Sequence, residues 1–214
     1  LNAVEGYLRM MQGKEAGNAI DNYADQIDRS LQRIQGMRNL IMDLLDFTKI
    51  RLEKKAGKII TLDLAEIAKG AIITVQPYAI QMEVTVNLDV RSEALLNADP
   101  ADMEIIFNNL VSNSVKYNKV GGKVDIIIDS NENEVVISFA DTGIGIKSED
   151  IGNLFNEFVR IKNEKTRNIT GSGLGLSIVK KIVQLYFGTI TVESKPDVGT
   201  VFTVRIPKNS SSIT

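Results

Sequence analysis

The first quarter of the chain carries apolar residues at helical spacing, and residues 1–56 contain no proline. The stretch LNAVEGYLRMMQ predicts a short amphipathic helix, which the polar segment GKEAGN at 13–18 ends. From Ala19 to about Lys55 a heptad seam predicts one long helix, with Arg38 as its main polar interruption. The seam residues are Ile20, Ala24, Ile27, Leu31, Ile34, Ile41, Leu45, Thr48 and Leu52.

A helix over 19–55 would be roughly 55 Å long, far longer than the helix that precedes it. It therefore cannot bury its apolar seam against that neighbour alone. We predict an antiparallel helical hairpin over 1–56 that dimerises into a four-helix bundle. The alternative is a long core helix inside a larger monomer.

From Gly57 onward the pattern alternates between strands and helices. KIITLDL and MEVTVNLDV predict strands on either side of a helix from about Leu64 to Ile80. EALLNAD then leads into a helix that contains FNNLVSNSVKYN, with Asp99 as N-cap and Pro100 in the first turn.

Two hairpins complete this second part of the chain. GGKVDIIIDSNENEVVISFADTG predicts two strands joined by the turn Ser130–Glu134, and FGTITVESKPDVGTVFTVRIPK predicts a second pair. The fold class is therefore α+β: a helical hairpin followed by an α/β sandwich over 57–208, with helices on one face of a mixed sheet. We expect residues 209–214 to be a frayed tail.

Composition narrows the chemistry that the chain can perform. A net charge of −2 and a pI near 5.4 do not favour nucleic acid or an acidic membrane surface as a partner. The chain has no Cys and no His, which excludes thiolate and imidazole chemistry from its own side chains. No apolar run approaches the roughly 20 residues of a membrane span.

The helix FNNLVSNSVKYN carries a polar stripe on one side. Asp102, Asn109, Asn113 and Lys116 fall within about 60° of one another, whereas Met103, Phe107, Val111 and Val115 can face a core. Amide oxygens suit Mg²⁺ and a lysine suits phosphate. Taken alone, the stripe could equally be a solvated helix face.

The segment ADTGIGI places Asp141 at the end of an apolar strand. A carboxylate there needs a donor, which the exocyclic amine of a base can supply, and Gly143 and Gly145 let a planar ring approach the backbone. A plain turn leaving the strand is the alternative.

GSGLGLSIVKKIVQLY is a glycine-rich loop that runs into an amphipathic helix, whose free N–H groups favour an anion. Its spacing matches neither a Walker A loop nor a dinucleotide-binding fingerprint. The polar segment VRIKNEKTRNIT before it predicts a mobile lid, and LFNEFVR upstream of the lid would leave Arg160 able to reach phosphate. GTVF at Gly199–Phe202 is a weak signal by itself.

Together these segments resemble the ordered boxes of the GHKL (Bergerat) ATP-binding superfamily, and more narrowly the catalytic domain of bacterial sensor histidine kinases. The N box resembles NLVSNSVKY, the G1 box DTGIG, the F box LFNEFVR, the G2 box GSGLGLS and the G3 box GTVF. The hairpin sequence LIMDLLDFTKI also resembles the end of the second dimerisation helix of these kinases.

The resemblance implies ATP and Mg²⁺ as cofactors. It implies that Asp141 binds the adenine amine, that Asn113 ligates Mg²⁺ beside Asn109, that Lys116 and Arg160 bind phosphate, and that Tyr117 packs near the base. The remaining nucleotide-binding positions that it implies are Gly143, Gly145, Ile146, Gly171, Gly173, Leu174, Gly175, Leu176 and Thr200.

One position separates subclasses of the superfamily. Hydrolytic relatives carry a Glu where this chain has Asn109, and an amide cannot act as a base towards water. The resemblance thus implies γ-phosphate transfer to a His and onward to an Asp of a response-regulator receiver domain. The acceptor His of such kinases would lie six residues before Leu1, so we expect a fragment that cannot phosphorylate itself.

The resemblance also implies a homodimer and a cytoplasmic location for this part of a kinase. Two other functions remain open from the residues alone. One is a GHKL ATPase module that hydrolyses ATP, and the other is a catalytically inactive scaffold that resembles a histidine kinase.

Overall fold

A computed structural model describes residues 2–17, 19–31, 33–34, 36–38, 41, 58–161, 165–167, 169 and 171–208. The chain divides into two compact units, Leu1–Asp46 with Thr170–Ser172, and Phe47–Ile169 with Gly173–Thr214. The predicted boundary at 56/57, the helix predicted over 42–55 and the predicted tail at 209–214 lie outside the described residues.

The first unit contains helix α1 (Asn2–Gln12), a 3₁₀ turn (Ile20–Tyr23) and helix α2, which is helical at every described position from 24 to 41. The Tyr23 hydroxyl closes the connection: it accepts from the Ala16 N–H at 3.0 Å and donates to the Gly17 carbonyl at 2.8 Å. The second helix therefore begins with a 3₁₀ turn, where the heptad pattern predicted regular helix.

The second unit is built on a five-stranded mixed sheet with the order β2-β4-β5-β7-β6 and a separate two-stranded sheet of β1 and β3. The strands are β1 (Ile60–Asp63), β2 (Thr85–Val90), β3 (Leu95–Ala98), β4 (Lys123–Ser130), β5 (Glu134–Asp141), β6 (Thr189–Lys195) and β7 (Gly199–Pro207). The helices are α3 (Leu64–Gln81), α4 (Pro100–Lys116), α5 (Ser148–Ile151) and α6 (Gly175–Leu185).

The sequence signals for these elements act as expected. Asp99 caps α4 by accepting a hydrogen bond from the Ala101 N–H at 2.9 Å, and Pro100 occupies the first turn. The two predicted hairpins form β4–β5 and β6–β7, both antiparallel. The predicted α+β class, with helices on one face of a mixed sheet, is confirmed.

Two short elements differ from the prediction. Leu95–Ala98 is a strand that pairs antiparallel with β1, where the sequence predicted only a lead into α4. Ser148–Ile151 forms one helical turn, α5, which was not predicted. Four residues are too few to show a period, so only pairing and packing identify such elements.

Every second residue of β4 and β5 is buried on one face of the sheet, as strand geometry requires. These residues meet the apolar sides of α4 and α6 in one core that includes Phe107 and Phe139, whose rings make an edge contact at 5.5 Å. Within the described residues, no helix is long and apolar enough to cross a bilayer.

Pairing of β5 with β7 brings Asp141 opposite Thr200, at the end of the sheet that also carries the β6–β7 turn. The β5 strand ends at Asp141 and is followed by the glycine-containing segment that carries Gly143 and Gly145. The sheet thereby fixes the place of the candidate site.

Candidate functional site

Asp141 is the half-buried last residue of β5, and its two carboxylate oxygens differ in their contacts. Oδ1 accepts hydrogen bonds from the Gly143 N–H at 2.9 Å and the Thr200 N–H at 3.2 Å. Oδ2 accepts none from the part of the chain that the structure describes. Burial raises the pKa of Asp141 to about 6, although the two N–H donors act against the shift.

The backbone around Gly143 leaves no room for a side chain. A Cβ at this position would lie 2.3 Å from the Tyr117 carbonyl oxygen and 2.8 Å from Asp141 Oδ1. The same Tyr117 carbonyl accepts a hydrogen bond from the Ile144 N–H at 3.0 Å. The segment after β5 is therefore held against the C-terminal end of α4, beside the carboxylate.

The β6–β7 hairpin clamps the next part of this segment. Gly145 has φ of 63°, and a Cβ there would lie 2.1 Å from the Lys195 carbonyl oxygen. Ser194 Oγ accepts from the Ile146 N–H at 2.8 Å and contacts Thr200 Oγ1 at 2.9 Å. Gly145, Ile146 and Thr200, which belong to separate sequence motifs, thus meet in one place.

Helix α4 divides its residues between core and site as the polar stripe predicted. Met103, Phe107, Val111 and Val115 are fully buried, whereas Asn109, Asn113, Lys116 and Tyr117 are half-buried. Lys116 Nζ lies 5.6 Å from the centre of the Tyr117 ring. Burial raises the pKa of the Tyr117 phenol, and the positive charge of Arg160 acts in the opposite direction.

The N-terminal end of α6 contacts α4 through Asn109. A Cβ at Gly175 would lie 2.3 Å from Asn109 Oδ1, while Asn109 Nδ2 donates to the Ile105 carbonyl at 2.9 Å. Leu174, the N-cap of α6, is buried, and Leu176 in the first turn is half-buried. The N-cap residue Leu174 makes no side-chain cap hydrogen bond, and within the described residues the first N–H groups of this helix favour an anion.

The segment before α6 meets the F-box residues. Gly173 has φ of 79°, and a Cβ there would lie 2.9 Å from the Val159 carbonyl oxygen. The rings of Phe155 and Phe202 pack edge-on with centroids 6.5 Å apart, whereas Phe158 is 62% exposed. Arg160 donates to the Ile169 carbonyl, so one arm of its guanidinium supports the segment predicted as a lid.

One predicted site residue, Gly171, belongs to the first unit, whereas the site residues described above belong to the second. Lid residues 162–164, 168 and 170 lie outside the described residues.

Two supporting residues were not assigned a role from the sequence. Buried Asn118 donates to the carbonyls of Ser114 and Lys123 and accepts from the Lys119 N–H and from Thr142 Oγ1. Ser194 holds Ile146, as described above. An Asn just after a helix is a weak signal, and a Ser inside a strand gives none.

The arrangement can hold a ligand with a donor at one end and negative charge at the other. Asp141 marks the first end, and the N-terminus of α6 with Asn109 marks the second. Along α4 the residues 109 and 117 are about 12 Å apart, which sets the scale of the site.

The described residues contain no cluster of three or more His, Cys, Asp or Glu side chains that could hold a metal. A metal ion would therefore depend on amide oxygens, water and ligand phosphate.

Comparisons with known proteins agree with this arrangement. Residues 98–210, more than half of the chain, match the family described as histidine kinase-, DNA gyrase B-, and HSP90-like ATPase. The chain is 28% identical over 209 residues to the sensor histidine kinase RcsC of Escherichia coli K12. That match covers 97% of this chain but only 22% of RcsC.

Two solved structures share the fold. The Acinetobacter baumannii histidine kinase AdeS has a TM-score of 0.76 at 19% identity, with 98% of this chain and 95% of AdeS covered. Histidine kinase ThkA, solved in complex with response regulator protein TrrA, has a TM-score of 0.73 at 20% identity, with 96% of this chain and 57% of that one covered.

The geometry and the family match lead to the same conclusion. The matched region contains the Asp141 carboxylate, the glycines that lie against backbone atoms, and helix α6. The chain belongs to the histidine kinase-, DNA gyrase B-, and HSP90-like ATPase family, and over nearly its whole length it is similar to part of a sensor histidine kinase.

Proposed function

We propose that the second unit binds ATP, with Asp141 recognising the adenine amine. The observation that carries this proposal is the half-buried carboxylate whose Oδ1 is held by two backbone N–H groups while Oδ2 accepts nothing from the described residues. A ligand amine would supply the missing donor. A base without such an amine would leave the carboxylate unpaired, which disfavours its binding.

We propose that the phosphates lie towards the N-terminus of α6, near Lys116 and Arg160. The free N–H groups of Gly175 and Leu176 and the helix dipole favour negative charge there. Asn113 would hold Mg²⁺ beside Asn109, and the ion would offset charge on the phosphates when bound. The half-buried amides of α4 fit such an ion through their oxygens.

We further propose that the chain is part of a kinase that transfers the γ-phosphate to a histidine. The chain itself contains no His, so the acceptor imidazole would lie outside these 214 residues. Asn109 supports transfer over hydrolysis because an amide cannot activate water. Incubation with labelled ATP should leave this chain unlabelled in an acid-labile phosphate assay, and a labelled chain would contradict the proposal.

The partners follow from the same family. A receiver domain with an acceptor Asp would take the phosphoryl group, by analogy with the ThkA–TrrA complex. A homodimer would form through α2, whose residues Leu31, Ile34 and Ile41 are exposed in the single chain. We propose a cytoplasmic location, where ATP and such a partner would be available.

Calorimetric titration tests nucleotide binding. ADP and a non-hydrolysable ATP analogue should bind, the analogue more tightly with Mg²⁺, and Asp141→Asn should weaken both by about 100-fold. Asp125→Asn is a matched control, because Asp125 lies on neighbouring β4 and its carboxylate already pairs with Lys123 and Asn87. Absence of binding under every condition would favour the inactive scaffold instead.

A further inference from the structure

Tyr186, the C-cap residue of α6, is 1% exposed and ties that end of the helix to the start of α4. Its hydroxyl donates to Asp102 Oδ2 at 2.7 Å and accepts from the Asp99 N–H at 3.0 Å. Asp99 is the N-cap of α4, and Asp102 lies in its first turn. One phenol therefore joins the C-terminal end of α6 to the N-terminal end of α4.

The contact is specific, because both partners are costly to leave unpaired. Burial raises the pKa of Asp102, with the negative charge of Asp99 acting in the same direction, while the hydrogen bond from Tyr186 lowers it. Leaving the buried Tyr186 hydroxyl without a hydrogen-bond partner would destabilise the folded protein as well. Sliding α6 along α4 would break both hydrogen bonds at once.

The same two helices meet again at the proposed phosphate end. Asn109 lies two turns after Asp102 on the same side of α4, and its Oδ1 occupies the space that a side chain at Gly175 would need. Asn109 Nδ2 is bound to the Ile105 carbonyl, which limits how far the amide can follow a shift of α6. Between the two contacts α6 buries Ile178, Val179, Ile182 and Val183, so it moves as one body.

We propose that Tyr186 is a positioning residue for the phosphate end of the site: its hydroxyl sets the axial register of α6 on α4 and thereby the place of Gly175 beside Asn109. The proposal rests on the proposed nucleotide site for its functional consequence. Its structural part, the coupling of the two helix ends, stands without any ligand.

The test is Tyr186→Phe, which keeps the ring and removes the hydroxyl. In the ligand-free protein, the NMR signals of the Gly175 amide and the Asn109 side-chain amide should shift. ADP affinity should fall by up to about tenfold, the limit that the free energy of one hydrogen bond to a charged group sets on this coupling, while adenosine affinity should stay unchanged. Tyr78→Phe, on the exposed side of α3, is the matched control and should change nothing.

Variants of Asp102 separate positioning from packing. Asp102→Asn keeps an acceptor oxygen and should bind ADP like wild type, whereas Asp102→Ala should reproduce the tenfold loss. Tyr186→Phe combined with Asp102→Ala should bind ADP no more weakly than Tyr186→Phe alone, because loss of the hydroxyl has already removed the bond to Asp102. The carboxyl ¹³C signal of Asp102 should titrate at higher pH in Tyr186→Phe, since the bond that favours its charged form is gone.

The outcomes distinguish failure of the proposed nucleotide binding from failure of the positioning role of Tyr186. If wild type binds neither adenosine nor ADP, the proposed function fails, and the ligand-free NMR comparison still tests the helix register. If Tyr186→Phe leaves the Gly175 and Asn109 signals and the ADP affinity unchanged, the positioning role is overturned. An equal loss of adenosine and ADP affinity would overturn it too, because the effect would then not be confined to the phosphate end.

Discussion

The Asp141 side chain combines two opposing electrostatic effects. Its surroundings remove water from the carboxylate, and the N–H groups of Gly143 and Thr200 return only part of the lost solvation. The ligand-free protein therefore holds a carboxylate that is easier to protonate than an ordinary Asp. A group in such a state is typical of a binding site and adds nothing to the stability of the fold.

Asp141→Asn should stabilise the ligand-free protein at neutral pH. A carboxyl whose pKa rises from 3.8 to about 6 on folding binds more protons in the folded state between those values, so its contribution to stability falls as pH rises through that window. The amide avoids this cost and still accepts from Gly143 and Thr200. We expect a gain of about 1–2 kcal/mol at pH 7.5, allowing for residual solvent contact, and a smaller one at pH 4.5. Urea unfolding at both pH values measures it; a loss of stability at pH 7.5 would contradict the explanation.

Adenine binding should weaken in acid. Protonation of Asp141 below about pH 6 replaces an acceptor by a donor facing the amine, so affinity should fall by up to about tenfold per pH unit. Adenosine, which carries no phosphate to titrate, is the ligand of choice for calorimetry between pH 5 and 8. Asp141→Asn should show weak binding without this slope, and a slope of equal size in the variant would assign the titration to another group.

At the scale of elements, the site depends on close approaches between α4, α6 and the segment after β5. Gly175 faces the tip of the Asn109 side chain, whereas Gly145 faces the Lys195 backbone and adopts a left-handed conformation. A flexible side chain can move away from an added methyl group, but a paired strand cannot. The two glycines should therefore respond differently to the same substitution.

Gly175→Ala should fold with little change in stability, because alanine suits a helix and Asn109 can turn aside. It should still lower ADP affinity about tenfold, since the displaced amide leaves the proposed metal and phosphate end. Gly145→Ala should instead destabilise the fold by about 3 kcal/mol or more, through strain and overlap with backbone. Thermal unfolding and calorimetry of both variants test the contrast, and equal destabilisation would contradict it.

At the scale of the whole molecule, α2 presents an apolar seam that the single chain leaves uncovered in its described part. Leu31, Ile34 and Ile41 are 58%, 47% and 56% exposed. Large aliphatic side chains repeated along one helix are typical of a surface that pairs with another helix. A second copy of the chain offers the same seam, which favours a symmetric pair.

Sedimentation at several concentrations should show a dimer that Ile34→Asp and Ile41→Asp together disrupt. Each substitution would bury a carboxylate charge in the seam and should lower the association constant of the dimer several-fold. Ile73→Asp and Ile80→Asp on α3, where both residues are also exposed, at 70% and 69%, form the matched control and should leave the dimer intact. Loss of the dimer in the control pair alone would place the interface on the second unit.

Much of the fold follows from local rules that the sequence states directly. Asp99 before Pro100 predicts where α4 begins, and the polar turn at 130–134 predicts the hairpin of β4 and β5. Of the paired strands β1 and β3, only β1 was predicted, because Leu95–Ala98 contains too few residues to show a period. The motifs around Asn109, Asp141 and Gly173 predicted candidate ligand-binding segments, because nucleotide binding needs those residue types.

By itself, the sequence determined the α+β class, the helical seam of the first unit and the residue types of the proposed nucleotide site, because periodicity, caps and glycine placement act over a few neighbouring residues. Only the tertiary structure decided which oxygen of Asp141 is held by Gly143 and Thr200, why Gly145 must lack a side chain, and that Tyr186 joins the far ends of α6 and α4. Those contacts link residues as many as 87 positions apart, and no local pattern records which groups the sheet and helices bring together.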